Sequence, residues 1–261
     1  MNLQLKDKVV IVTGGAKGIG EGIVRALANE GAIPVIVGRN HADNQKLVDA
    51  LQQQGQAAFQ IVAELTNPTT AATAVQTVVE KYGRVDGLVN NAGVNDGVGL
   101  EHGNYEDFVS SLHKNVIHYY LMAQQVLPYL KQSKGAIVNI GSKVAETGQG
   151  GTSAYAASNG ARNALTREWA VELLPYSIRV NAVIVAECYT PLYETWINTL
   201  PDPETKLQAT LDKIPFENRM TTAEEIANMV VFLLSDKSSH TTGQLVYVDG
   251  GYVHLDRSIS K

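Results

Sequence analysis

The 261-residue chain carries 21 Lys and Arg against 26 Asp and Glu, a formal net charge of −5, and 44% of its residues are hydrophobic. This composition fits a folded chain with a sizeable core and leaves no basic surplus to neutralise phosphates, which excludes nucleic acid as a main partner. The single cysteine, Cys188, cannot form an internal disulfide. The first residues lack a leader-like apolar run, and no stretch reaches the roughly 18 to 20 apolar residues of a membrane span. A cytoplasmic protein without a membrane partner or a metal is expected.

In chain order, a buried-strand run at 9–12 leads into the turn Thr13-Gly14-Gly15-Ala16-Lys17-Gly18-Ile19-Gly20 and a helix over 19–29. Further β-branched runs lie at 33–37, 58–62, 87–89, 136–140, 178–184 and 245–248, and amphipathic helical patterns lie between them, for example at 72–82 and 224–234. Continuous apolar strands alternating with helices predict a Rossmann-type, doubly wound α/β fold, a parallel seven-stranded sheet with helices on both faces. No linker or composition break divides the chain, so one domain spanning 1–261 is expected. The alternation fails only at 186–219, where Thr190-Pro191 and Leu200-Pro201-Asp202-Pro203 predict two short helices joined by turns. A segment at the carboxyl end of a strand borders the ligand crevice of an open α/β sheet, so it reads as a substrate lid.

The glycines at 14, 18 and 20 let backbone pass close to a pyrophosphate, and the following helix N-terminus offers unpaired N–H groups and partial positive charge. The second strand ends Gly38-Arg39-Asn40, without the carboxylate that would bond the ribose 2′-hydroxyl of NAD. Arg39 can pair with a 2′-phosphate, and Lys17 adds a second charge, so NADP(H) is the preferred cofactor and NAD the alternative.

The spacing T-G-x-x-x-G-x-G resembles that of the short-chain dehydrogenase/reductase family. The resemblance continues through Asn90-Asn91-Ala92-Gly93, Asn115, Ser142, Tyr155 and Val248-Asp249-Gly250-Gly251, over nearly the whole chain. It implies cofactor contacts at Gly14, Lys17, Gly18, Ile19, Gly20 and Arg39, then at Glu64, Leu65, Asn91, Ala92 and Gly93. Further along it implies Ile140, Tyr155, Asn159, Val185 and Thr190. It also implies that Tyr155 moves the hydroxyl proton, Ser142 holds the substrate oxygen, and Asn115 supports a water-linked proton route.

A free phenol has a pKa of ~10, so a tyrosine base near neutrality needs its phenolate stabilised by about 4 kcal/mol. The family supplies a lysine four residues on, where this chain has Asn159. Asn159 can still bond a ribose hydroxyl but carries no charge. Arg162 is seven residues past Tyr155, about 10 Å further along the helix, which reads as too far. Lys143 points away from Ser142 if strand geometry persists there. Three explanations stand open: an introduced substitution, a natural enzyme with a weakened mechanism, or a dinucleotide-binding pseudoenzyme. The expectation is reduced activity with cofactor binding kept, and a gain of roughly 10²-fold when lysine is restored at 159. The family's Pro-Gly after the sixth strand is also missing, replaced by Val185-Ala186.

The expected substrate pocket is polar: Asn95 and Asp96, then Lys143, Glu146 and Gln149 after Ser142, then Glu187 and Trp196, with His118, Tyr119 and Tyr193 as walls. Together with Ser142 and Tyr155 it suits a polyhydroxylated substrate. The strings at 94–97, 147–150, 186–187 and 252–257 resemble the sugar-oxidising branch that includes L-fucose dehydrogenases. The resemblance implies oxidation of a pyranose C1 hydroxyl to the lactone. The alternatives are a reductase of 3-oxoacyl thioesters or other carbonyl compounds, or a non-catalytic binding protein. It further implies a homotetramer packed through helices at 105–130 and 153–174.

Overall fold

The computed structural model describes residues 2–256; Arg257, at the end of the last of those strings, lies outside them. Every residue of β1 (Val9–Thr13) is buried, which requires cover on both faces of the strand. Its alternate side chains feed two separate cores. Val10 and Val12 belong with Ile23, Leu27 and Val230, whereas Val9 and Ile11 belong with Val78, Met122 and Ile137. At about 1.5 to 3 kcal/mol for each fully buried aliphatic side chain, this two-sided burial fixes the register of the central strand.

Helix α1 (Gly18–Asn29) follows β1, then come β2 (Ile33–Gly38), α2 (His41–Gln53), β3 (Phe59–Val62), α3 (Pro68–Tyr82) and β4 (Gly87–Asn90). Next are α4 (Tyr105–Leu112), α5 (His118–Ser133), β5 (Ala136–Ser142), the single turn α6 (Val144–Thr147) and α7 (Ser153–Glu172). The chain continues through β6 (Arg179–Val185), α8 (Pro191–Ile197), α9 (Pro203–Leu211), α10 (Ala223–Leu234) and β7 (Leu245–Val248). The seven strands form one parallel sheet in the order β3-β2-β1-β4-β5-β6-β7. Helices α1, α2 and α10 supply one core, and α3, α5 and α7 the other. This is the Rossmann-type architecture the alternation predicts.

Strand β1 pairs with β2 on one side and β4 on the other, so the order reverses there and a crevice opens at the carboxyl ends of the strands. Two local departures shape that crevice. Strand β5 runs two residues beyond its apolar run, because Gly141 and Ser142 still pair with Ile184 and Val185 of β6. The single helix expected at 105–130 is instead α4 and α5 joined by a π-helical turn, His113–Ile117. There the Asn115 amide donates to the Ser111 carbonyl at 3.0 Å, competing for the acceptor of the preceding turn.

A buried polar chain aligns the layers. Asn90 donates to Asn139 at 3.0 Å and Asn139 to Thr166 at 3.0 Å, linking β4, β5 and α7 through residues with no exposed surface. The two amide donors are each satisfied by the next residue, which pins α7 to the sheet, although the Asn90 Oδ1 has no partner among the described residues. No helix among the described residues is long and apolar enough to cross a membrane, and none of those residues forms a group of three His, Cys, Asp or Glu suited to a metal.

Candidate active site

The glycine turn is braced from across the sheet. The Asn91 and Ala92 amides donate to the Thr13 hydroxyl at 2.9 and 3.1 Å, and the Asn91 side chain donates to the carbonyls of Thr13 and Gly14 at 2.9 and 3.2 Å. Gly14 has φ +64°, the left-handed region, and a Cβ at Gly20 would strike the Gly14 carbonyl oxygen and lie 2.7 Å from Asn91 Nδ2. Helices α2, α3, α4, α8, α9 and α10 are closed by a side chain at their N-terminus, but α1 is not. Its first residues, Gly18, Ile19 and Gly20, line the crevice, so its uncapped N–H groups suit a pyrophosphate there.

Two cavities flank this turn, of about 470 and 220 Å³. The larger is walled by Gly14, Lys17, Gly18, Ile19, Gly20, Asn91, Gly93, Ile140, Tyr155, Val185 and Thr190, together with Arg162. The smaller is walled by Gly14, Arg39, Glu64, Leu65, Ala92 and Gly93, among others. The structure thus gathers every residue expected at the cofactor except Asn159, which is fully buried and absent from both walls.

The two cations beside the turn, Lys17 at the larger cavity and Arg39 at the smaller, are not free. Lys17 Nζ lies 2.7 Å from Asp43 and Arg39 Nη1 3.5 Å from Glu64, with the Arg39 side chain 78% exposed. The end of β2 carries no acid, but the folding of α2 and the loop after β3 brings two carboxylates alongside. Burial works against the charged form of Glu64, yet bonds from the Thr66 amide and hydroxyl and the Arg39 charge hold its pKa below the ordinary value.

Tyr155 stands in the first turn of α7 and Ser142 at the last position of β5. Asn115 is buried on the π-helical turn, where its Oδ1 accepts from the Val94 amide at 2.8 Å. Asn159 turns its amide back to the Tyr155 carbonyl at 2.8 Å, and its Oδ1 accepts from Arg162 Nη1 at 3.0 Å. The Arg162 guanidinium also donates to the carbonyls of Asn115, at 2.7 Å, and Ile140, at 3.1 Å, and lies 6.0 Å from the Tyr155 ring centroid. The distance expected for Arg162 is therefore corrected. Side chains of a helix lean toward its N-terminus, so a long arginine recovers most of the axial rise separating the two Cα atoms.

Lys143 departs from expectation in its backbone. It adopts helical angles at the start of α6, so strand geometry does not persist past Ser142. Its side chain is buried, pairs closely with Glu187, and lies over the Tyr252 ring at 3.7 Å. Asp96 is held by Ser111 at 2.7 Å and Lys114 at 3.2 Å. Asn95 and Gln149 are exposed. Asn163 donates to Glu146 at 3.1 Å. Trp196 is half-exposed and packs edge-on against Tyr193 at 5.2 Å. His118 and Tyr119 are buried: burial, with the Arg162 charge adding to it, pushes His118 down to about 4, and burial pushes Tyr119 up to about 12.

Sequence reasoning missed Thr13 as the brace of the turn, Asn139 and Thr166 as the anchor of α7, and Tyr252 beside Lys143. The one available signal was polar residues inside apolar strand runs, since Thr13 and Asn139 occupy fully buried positions.

This fold and cleft define a nucleotide-dependent oxidoreductase of the α/β class. A family model described as Enoyl-(Acyl carrier protein) reductase matches residues 14–253, and the chain belongs to the short-chain dehydrogenase/reductase family. It is similar to the 3-oxoacyl-[acyl-carrier-protein] reductase FabG of Thermotoga maritima, 36% identical over 96% of this chain and 100% of that protein. It is also similar to the L-fucose dehydrogenase of Bos taurus, 32% identical over 96% of this chain and 91% of that one. Among solved structures, Cj0485 dehydrogenase superposes with a TM-score of 0.94 at 44% identity, covering both chains completely.

Proposed function

We propose that the protein is an NADP(H)-preferring dehydrogenase that oxidises the C1 hydroxyl of an L-fucose-like pyranose to the lactone. The observation that carries this reading is the polar cluster that follows Ser142 in the chain, where the Lys143–Glu187 pair and the Tyr252 ring are brought together, a set of groups suited to a ring bearing several hydroxyls. An acyl chain offers such groups no hydrogen-bonding partner. The likeness to L-fucose dehydrogenases supports the same substrate class. The FabG-like alternative rests on comparable identity, and the polar cluster is what favours the sugar over it.

In this reading the cofactor, when bound, supplies the hydride acceptor. Tyr155 takes the hydroxyl proton, Ser142 holds the reacting oxygen, and Thr190, on the cleft wall at the start of α8, bonds the carboxamide. The segment 186–219, built of α8 and α9 with Tyr189, Leu192 and Trp196 outward, serves as the lid. A cytoplasmic homotetramer packed through α4, α5 and α7 belongs to the reading, supported by the exposed Tyr105, Tyr120 and Val171 on those helices.

The test is a substrate panel followed by absorbance of the reduced cofactor: pyranoses, secondary alcohols, short ketones and 3-oxoacyl thioesters, each with NADP(H) and NAD(H). Turnover of 6-deoxy or aldohexose pyranoses at least tenfold above the other classes is expected. Preference for the thioester would overturn the sugar assignment.

A further inference from the structure

We infer that Arg162 supplies the positive charge that this family otherwise places at position 159, and that Asn159 is the spacer that holds it there. The inference rests on the proposed role of Tyr155 in proton transfer, and is independent of which alcohol is the substrate.

Three observations carry it. First, Arg162 stands on the wall of the larger cavity together with Tyr155, whereas Asn159 does not reach that wall. Second, its guanidinium is held rigidly. Only 3% of the residue is exposed, and its N–H groups donate to the carbonyls of Asn115 and Ile140 and to the side-chain oxygens of Asn159 and Asn115. Third, all of those acceptors are neutral, and among the described residues no carboxylate is paired with it. The other buried cation of the site, Lys143, is neutralised by Glu187. A buried cation satisfied by dipoles alone keeps its full field, and an anion forming beside it is stabilised. The guanidinium carbon lies 6.0 Å from the centroid of the Tyr155 ring and 4.3 Å from that of the Tyr119 ring. The field also reaches His118, where Arg162 adds to burial in disfavouring the charged imidazole.

Asn159 fits the role of spacer. A lysine at 159 would place a second cation where the Asn159 oxygen now accepts from Arg162 at 3.0 Å. The substitution at 159 and the arginine at 162 are therefore two halves of one arrangement. In the step served, the C–H bond of the alcohol breaks with its electron pair passing to the oxidised nicotinamide. The O–H proton passes to the Tyr155 oxygen, and the carbon–oxygen double bond forms. Arg162 stabilises the tyrosine oxygen before the proton arrives. It cannot pass that proton on, because a guanidinium does not deprotonate in proteins.

The experiment is a double-mutant cycle on the full chain. It uses whichever alcohol or carbonyl compound the wild type turns over, with NADPH binding by fluorescence and thermal melting measured alongside. Arg162→Met is expected to lower kcat by 10²-fold or more with less than tenfold change in KM, and Arg162→Lys to recover a substantial part of kcat. Asn159→Lys alone is expected to lower kcat, whereas Asn159→Lys with Arg162→Met is expected to return it to within tenfold of wild type. That reciprocal rescue also covers a poorly folded Arg162→Met, because the double variant reproduces the family's usual arrangement. A 10²-fold gain from Asn159→Lys alone, or a folded Arg162→Met with kcat intact, would overturn the inference. Failure of sugars with turnover of another substrate would sink the sugar assignment and leave this test standing. Absence of turnover across the whole panel would overturn the inference too, since a correctly charged Ser142–Tyr155 site should work.

Discussion

The cofactor preference can be tested at Arg39, where the perturbation is small and the magnitude can be worked out. The Arg39 guanidinium is 78% exposed, so its attraction to a 2′-phosphate is close to that in water. Each pair of unit charges at about 4 Å in that medium contributes ~1 kcal/mol. A phosphate carrying about 1.5 to 2 charges would gain about 1.5 to 2 kcal/mol. Part of this is exchanged, because Arg39 already lies 3.5 Å from Glu64, a contact worth ~1 kcal/mol in the same medium. The net contribution is about 0.5 to 1 kcal/mol, or roughly two- to fivefold in Kd. Arg39→Leu should therefore weaken NADPH binding by roughly that factor and change NADH binding less than about twofold. Glu64→Gln, which frees the guanidinium, should tighten NADPH. Fluorescence titrations at low and high salt provide the assay, and the Arg39 effect should shrink as salt rises. Equal weakening of both dinucleotides, or a wild type that binds NADH more tightly, would refute the assignment.

Three further outcomes are expected. The His118 imidazole, pushed down to about 4 by burial and the Arg162 charge, is neutral in the folded chain while the unfolded chain protonates near 6.5. Stability is therefore fully present above pH ~6.5 and falls by about 3 kcal/mol as pH drops to ~4, a decline that chemical denaturation of His118→Gln should show flattened. Gly20→Ala should abolish dinucleotide binding in fluorescence titration and lower the melting temperature, because its Cβ meets the Gly14 carbonyl and the Asn91 amide at once. Burial, with the Glu225 charge adding to it, pushes the Cys188 thiol up to about 11, so at pH 8 a thiol reagent should label the native protein far more slowly than the denatured one.

The sheet was readable from sequence because its strands are buried on both faces and so appear as unbroken apolar runs. Composition alone would end β5 at Ile140, but the motif places the strand end at Ser142, where pairing with β6 carries it. The glycine turn was readable because backbone geometry restricts residue type. Side-chain reach was not readable: the rise between Tyr155 and Arg162 was correct for the backbone, but the lean of the arginine was invisible in a spacing argument. Long-range pairing was equally hidden, since Glu64 and Asp43 reach the cofactor cations only after β3 and α2 are placed. The polar clamp of Asn90, Asn139 and Thr166 was equally hidden, because it joins residues of two strands and a helix that meet only in the fold.

The cations around the cleft divide into two kinds, and the division bears on how such a site can change. Lys17, Arg39, Lys114 and Lys143 pair with Asp43, Glu64, Asp96 and Glu187 respectively. A paired, partly exposed cation can exchange its carboxylate for a ligand phosphate at little net cost, so recognition at the adenosine end is tuned by small steps. Arg162 has only neutral acceptors, so removing it deletes a charge and withdraws a donor from four carbonyl or amide oxygens together. Such a position tolerates change only when the charge reappears nearby. Moving the cation from 159 to 162 therefore requires two coupled substitutions, and an intermediate with neither or both cations should be impaired.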